Sequence, residues 1–391
     1  MTVKITKPQI NVREELKDLK KPTGIAGEAM LRADTPQEQF NLIGAGRKNM
    51  IINGDMRVAQ RGTSETGVIT TSHAGVDRFR LDLTTNQSGT HTLSQSTDAP
   101  SNFKYSFKVQ CTSAQASPNQ MRCSYPVEGY DVAHLGYGTP EAKPLTLSFW
   151  VKSNVVGTYA LSIETAIAQR YFSTNYTIDS PNVWEYKTIY IPGDTASALN
   201  GNNTLGLYFS WWLTSGSSLK VNPVADNWVT QSSYNNIVGT DTNVNMASST
   251  GNSWQITGVQ LELGKVATPF EHRSYGEELT LCERYYQKLG GTAYQAIGFG
   301  KIYAVGQTAM SYVCFNTPMR TAPTVSEGGN GLIVTDRVAF DDNVTSMTQV
   351  AAGKGSLYAQ FNTGITRTDR HPVIIACRNG ASGWLNLHAE L

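Results

Sequence analysis

From residue 49 onward the chain is a succession of short apolar or alternating runs, each closed by a turn rich in Gly, Asn, Ser or Thr. No stretch of it sustains a helical period. Runs at 79–83, 105–109, 145–152, 159–165, 184–191, 205–213 and 253–263 read as strands whose side chains alternate between two faces. Many such strands with turns between them can close only as an antiparallel sandwich or jelly roll. The polar, Asn/Ser-rich stretch 222–252 reads as a long surface loop between two of them. A chain of 391 residues is too long for one ordinary domain, so two or three are expected.

Composition agrees with this pattern. Hydrophobic residues make up 40%, enough for sizeable cores, while charged residues reach only 16% against a usual level of about 25%. Ser, Thr, Asn and Gly fill the difference, as on sandwich surfaces and turns. A net charge of +1 gives no electrostatic reason to expect nucleic acid or an anionic membrane as partner. Residues 1–7 lack the apolar core of a signal peptide, and no apolar run approaches the ~18 residues of a membrane span. The chain is expected to be made, and soluble, in the cytoplasm of the producing cell, without membrane insertion.

Residues 1–46 differ from the rest. Of the first 48 residues 15 are charged, against 48 of the other 343. Thr35-Pro36-Gln37-Glu38 places Thr at an N-cap, Pro at the first helical position and Glu two further on. This capping box predicts a helix through Phe40, Leu42 and Ile43, closed by Gly44 and Gly46. A helix that short does not stand alone in water and must dock on a partner.

A second box, Ser274-Tyr275-Gly276-Glu277, predicts a linker helix over 274–289, with Leu279, Cys282, Tyr285 and Tyr286 at helical spacing. It separates a first β domain, 47–273, from a second, 290–391. Strands are expected in the latter at 302–305, 309–315, 331–334, 356–362, 372–377 and 383–391. The last of these alternates to the final residue, which fits a strand paired in a sheet.

The sequence offers little chemistry. Cys111, Cys123, Cys282, Cys314 and Cys377 are scattered and read as buried apolar residues or free thiols. The six histidines are isolated, no nucleophile elbow or phosphate loop is present, and neither metal nor cofactor is expected. Glu128, Asp131, Asp226, Asp341 and Asp342 read as turn or surface acids rather than a hydrolytic pair. No enzymatic activity is expected. Asp77-Arg78-Phe79 reads as a core Phe with an acid–base pair at its edge. Aromatic side chains are the candidates for binding, because their faces stack on sugar rings. Trp211 and Trp212 must point to opposite faces of one strand, one into the core and one outward. Trp228, in a polar loop, either plugs that loop onto the sandwich or meets a partner, and Tyr234 has the same two readings.

Several phrases, in order, resemble those of tailed-bacteriophage virion and prophage proteins. Asn49-Met50-Ile51-Ile52-Asn53-Gly54-Asp55-Met56, with Gln60-Arg61-Gly62 and Asp77-Arg78-Phe79, resembles the opening of their carbohydrate-binding-module-like jelly roll. Its closing strand and exit are matched by Trp254 to Gly264 and by Ala267 to Arg273. Cys282-Glu283-Arg284-Tyr285-Tyr286 and Thr317-Pro318-Met319-Arg320-Thr321-Ala322-Pro323-Thr324 follow. The resemblance implies a non-catalytic tail fibre, usually a homotrimer, made in a bacterial host and carried on the virion. Residues 1–46, with Thr35, Glu38, Phe40, Leu42 and Ile43, would attach it to tail proteins such as an adaptor or nozzle. The jelly roll would be its body, and 290–391 the tip that meets host-surface glycan. A head fibre or capsid decoration protein is the alternative, and a glycan hydrolase stands behind both.

Overall fold

The computed structural model describes residues 47–83, 89–115, 120–167, 169–221, 225–231, 238–239, 242–302, 306–328, 331–367, 371–378 and 383–391. The capping-box helix at 35–43 and Tyr234 lie outside them. The first β domain contributes β1 (Ser64–Val68), β2 (Arg80–Leu83), β3 (Thr90–Ser96), β4 (Ser106–Ser113), β5 (Gln120–Glu128) and β6 (Leu145–Ser153). It continues with β7 (Gly157–Thr165), β8 (Arg170–Ile178), β9 (Glu185–Ile191), β10 (Leu205–Ser215), β11 (Trp228–Thr230) and β12 (Ser253–Leu263). They form two antiparallel six-stranded sheets, ordered β1-β3-β4-β12-β6-β9 and β11-β8-β7-β10-β5-β2. The chain crosses from one sheet to the other between most successive strands, as in a jelly-roll sandwich. Between the sheets lies one core that includes Phe79, Phe107, Phe149, Phe209, Trp211 and Trp254.

The mainly β architecture expected from the alternation is therefore present, with differences that have local causes. Strand β5 carries Arg122 and Pro126 and escapes a hydrophobicity pattern, because its outward polar residues are themselves covered. Stretch 222–252 is not simply a surface loop. Its described parts hold β11 and a 3-10 turn, Met246–Ser248, and hydrogen-bond back onto the second sheet at Ser173, Gln169 and Thr158. A four-residue helix, α1 (Gly129–Val132), follows β5.

The linker helix α2 (Tyr275–Glu283) starts where the capping box places it: Ser274 accepts a hydrogen bond from the Glu277 amide. It stops at Glu283, well short of 289. Tyr286 instead opens a strand opposite His388, a pairing across about a hundred residues that no local period reveals. The C-terminal strands are β13 (Tyr286–Gly290), β14 (Ala296–Ile302), β15 (Gly306–Cys314), β16 (Thr324–Gly328) and β17 (Leu332–Thr335). After them come β18 (Asp341–Asn343), β19 (Ser346–Ala352), β20 (Ser356–Arg367), β21 (Pro372–Cys377) and β22 (Trp384–His388). A three-stranded sheet, β13-β22-β16, and a seven-stranded one, β18-β17-β21-β14-β15-β20-β19, share a second core. Of the strand expected at 302–305, Ile302 is the last residue of β14, and 303–305 lie outside the described residues. All five cysteines are free, four buried and Cys314 exposed.

The junction of the two cores is ionic and aromatic. Asp77 and Arg78 do not pair with each other at the edge of Phe79. Asp77 accepts from the Gln60 amide and side chain at 2.9 and 2.6 Å, and burial pushes its carboxyl up. Arg78, only 1% exposed, reaches Glu390 at 2.6 Å and lies 3.5 Å over the Tyr285 ring. Arg61 meets the other oxygen of Glu390 at 3.0 Å and lies 3.6 Å over Tyr286. Arg320 donates to the carbonyls of Ala389, Glu390 and Asn203, and Arg284 forks onto Glu128.

Candidate functional site

None of the predicted aromatic contacts that fall among the described residues is open to solvent. Trp211 lies in the main core, ringed by Phe79, Phe149 and Phe209. Trp212 faces the opposite way, as alternation requires, but Leu219 and Val238 cover it and its Nε1 donates to Ser162 at 2.8 Å. Trp228 plugs its loop onto the sandwich. Its Nε1 donates to the Pro192 carbonyl at 2.7 Å, and Tyr137 and Phe172 pack beside the ring. The contact role expected of these three gives way to packing. Trp228→Ala is accordingly expected to lower stability by about 3 kcal/mol, as core Trp truncations do, with affinity for ligand unchanged in the folded fraction. Denaturant unfolding and a binding titration on the same variant check this.

Of the five acids, Asp131, Asp226 and Asp341 are exposed as expected, whereas Glu128 and Asp342 are buried in ion pairs rather than at the surface. Glu128 is engaged by Arg284 at 2.9 and 2.5 Å and by the Tyr285 hydroxyl at 2.7 Å. Burial pushes its carboxyl up, and these partners outweigh it and hold it below the usual range. Asp342 pairs with Arg367. Among the described residues no group of three or more His, Cys, Asp and Glu could hold a metal.

The open aromatic surface lies on the other sheet. In β6, Phe149 points inward, so Trp150 must point out. It stands opposite Tyr186 of the edge strand β9 and opposite Thr257 of β12. The Trp150 and Tyr186 rings lie 5.3 Å apart, and Tyr186 and Tyr190 are 44% and 47% exposed. Just past Thr257 the strand bulges at Gly258, whose φ is +61°. A Cβ there would meet the Phe103 ring at 2.6 Å and Trp150 at 3.0 Å, so glycine is what lets these rings close in.

Phe103 arrives from the turn before β4, and Phe270 and His272 from the segment leaving β12. Phe103 is 5.1 Å from Phe270 and 5.6 Å from His272, ring centre to ring centre. That segment is pinned. The Glu271 carboxylate accepts from the Lys48 and Asn49 amides at 2.6 and 2.8 Å, and from Arg273 at 2.8 Å. Burial raises the Glu271 carboxyl, yet these donors hold it below the usual range. The groove floor is thus pre-organised rather than formed on binding.

Trp150, Tyr186, Phe103, Pro269, Phe270 and His272 line a groove of about 610 Å³. Through Asn102, Phe103 and His272 it runs into a second hollow of about 470 Å³, walled by Asp55, Arg57, Lys104 and Tyr275. Further along the same face Asp98 accepts from Lys152, from Trp184 at 3.2 Å and from Gln255 at 3.1 Å. An open trough of rings with polar groups at its far end suits an extended chain of sugars. Alternation in β6 was the one signal that could have flagged Trp150, by the logic applied to Trp211 and Trp212. Its partners come from positions over 150 residues apart and carry no local mark.

No family model matches the chain, and no curated protein matches it. Among solved structures it is similar to the enzymatically active domain of tailspike protein 4 of bacteriophage CBA120, at TM-score 0.30 and 13% identity. That likeness covers 55% of this chain and 21% of the tailspike chain, so the chain spans only a small part of that protein. It is also similar to the family 11 carbohydrate-binding module of the cellulosomal cellulase Lic26A-Cel5E of Clostridium thermocellum. There the TM-score is 0.26 at 11% identity, over 53% of this chain and 98% of that one. At these TM-scores the likenesses decide neither fold nor function.

Proposed function

We propose that the chain is a non-catalytic, glycan-binding appendage of a tailed-phage virion, a homotrimeric tail fibre. The observation that carries the binding half is the open groove of Trp150, Tyr186, Phe103 and Phe270, set on a pinned scaffold. The virion half rests on the ordered phrases from Asn49 to Thr324. In this reading residues 1–46 attach the fibre to tail proteins, 47–273 form the glycan-binding body, 274–289 link, and 290–391 form the tip. Three copies multiply weak single-site contacts by avidity. Light scattering on the purified protein is expected to give three times the 42.6 kDa chain mass, and the protein to compete with phage for adsorption to host cells. A monomer that leaves adsorption unaffected overturns the proposal.

A further inference from the structure

The outer face of the seven-stranded sheet carries aromatic rings left open to solvent. Core residues Ile302, Val313, Leu357 and Ile375 fix which side of β14, β15, β20 and β21 points inward. Alternation then sends Phe299, Tyr312, Tyr358 and Ile374 outward. They lie in one row across the strands. Phe299 stands opposite Ile374 on one side and Tyr312 on the other, and Tyr312 stands opposite Tyr358. Phe299 is 66% exposed and Tyr312 62%, on the central strand of the sheet and its neighbour rather than at an edge. An exposed apolar patch in the middle of a sheet marks a contact surface.

What that surface meets follows from its chemistry. The Tyr312 and Tyr358 rings are stacked, with centres 4.6 Å apart and planes at 29°. Two rings lying flat side by side could not come that close, so these stand up from the sheet and turn their edges outward. Stacking on a sugar needs an open ring face, so a glycan is a poor fit. Around the row the outward positions are Thr308, Met310, Gln360, Asn362, Pro372 and Lys301, and of these Lys301 alone is charged. An interface between identical copies sets like against like, so a nearly neutral face suits it. Seven strands at about 4.8 Å spacing, each of about six residues, give a face of about 600 Å², of the same order as the roughly 800 Å² each partner gives to a standard interface.

We infer that the chain associates with further copies of itself through this face, with the Phe299–Tyr312–Tyr358 row at its centre. That the copies number three rests on the reading of the chain as a trimeric fibre; the choice of face does not. Around a threefold axis, three such sheets turn their central strands inward and bring the Phe299 rings together. Lys301, two residues further along β14, lies off that point.

The test uses the full-length protein and a natural probe. Cys314 lies on the same face two residues beyond Tyr312 and is the one exposed cysteine of the five, so a short bis-maleimide reports this face. The double variant Phe299→Thr with Tyr312→Thr removes both rings and keeps strand-forming residues. Tyr312→Glu instead sets like charges against each other, and thermal unfolding checks that both variants fold. Wild type is expected to scatter light as a multimer and to cross-link through Cys314. In both variants the concentration at which the multimer dissociates is expected to rise tenfold or more, and the cross-link to be lost. If folded variants keep the wild-type mass, or a multimeric wild type gives no Cys314 cross-link, the face is overturned and the trimer reading stands on another contact. Loss of competition for host-cell adsorption in variants of unchanged mass would assign the face to a host ligand instead. A wild type that stays monomeric removes this inference and the trimer reading together, whereas a dimer abolished by the variants removes only the number three.

Discussion

Trp150→Ala is expected to weaken glycan binding tenfold or more while leaving the fold almost as stable as before. The indole stands on the outer face of β6 and is only half-buried, so its removal opens no core cavity. What it removes is the flat central wall of the trough, between Tyr186 and Phe103. Aromatic anchors at the centre of a binding patch are worth about 2 kcal/mol or more on truncation. Calorimetric titration against the best-bound bacterial envelope polysaccharide gives the affinity, and thermal unfolding of the same sample gives the stability. Equal affinities for variant and wild type would remove the groove from consideration.

The largest stability effect is expected at Glu390. Its carboxylate is shared between Arg78 and Arg61, each of which is stacked on a tyrosine, and its side chain is only 12% exposed. Glu390→Gln keeps the shape but strips Arg78 of its ion-pair partner and leaves Arg61 only the Asp77 carboxylate, 4.0 Å away, in a poorly solvated junction. Breaking a buried pair in this way costs about 3–5 kcal/mol. Burial alone would push the Glu390 carboxyl up, but Arg78 and Arg61 outweigh it and bring it to about 2. Because the folded value lies below the unfolded one, the stabilisation is full above about pH 4.5 and fades as pH falls toward 2. His73, beside Glu390, is lowered to about 4 by burial and opposes folding as it charges below its ordinary 6.5. Glu390 raises His73 against that burial, so the wild-type-minus-variant difference reports the coupled pair, and its acid-side loss below about pH 4.5 is the part that belongs to Glu390. A difference that stays constant from pH 5 to pH 2.5 would contradict this account of the junction.

The sequence shows the sandwich more readily than the site, for a physical reason. Strands such as Leu145–Ser153 and Ser253–Leu263 carry apolar side chains at alternate positions, the second with one break at the Gly258 bulge, because one face of each is core, so they are legible from the side chains alone. The N-cap of α2 is equally legible, since Ser274 acts on its own helix. Polar edge strands such as Ser346–Ala352 are not, because their place is set by pairing with β20 rather than by burial. The groove fails for the same reason at larger scale. Trp211 and Trp212, the most conspicuous aromatics in the chain, are conspicuous because they pack. The rings that line the groove come from four separate segments: Trp150 meets Tyr186 by cross-strand pairing, and the β12 bulge at Gly258 lets Phe103 close in on Trp150.

The pinning of Glu271 and Arg273 has a mechanical side. The chain enters the sandwich at Lys48–Ile51 and leaves it at Glu271–Arg273, and the two are tied directly. Glu271 holds the Lys48 and Asn49 amides, and Arg273 donates to the carbonyls of Asn49 and Ile51. A pull between residues ahead of Lys48 and the C-terminal domain therefore loads this short clasp in shear and bypasses the twelve strands behind it. The sandwich hangs beside the line of tension, and of the groove only the wall made by Pro269, Phe270 and His272, which flank Glu271, lies on it.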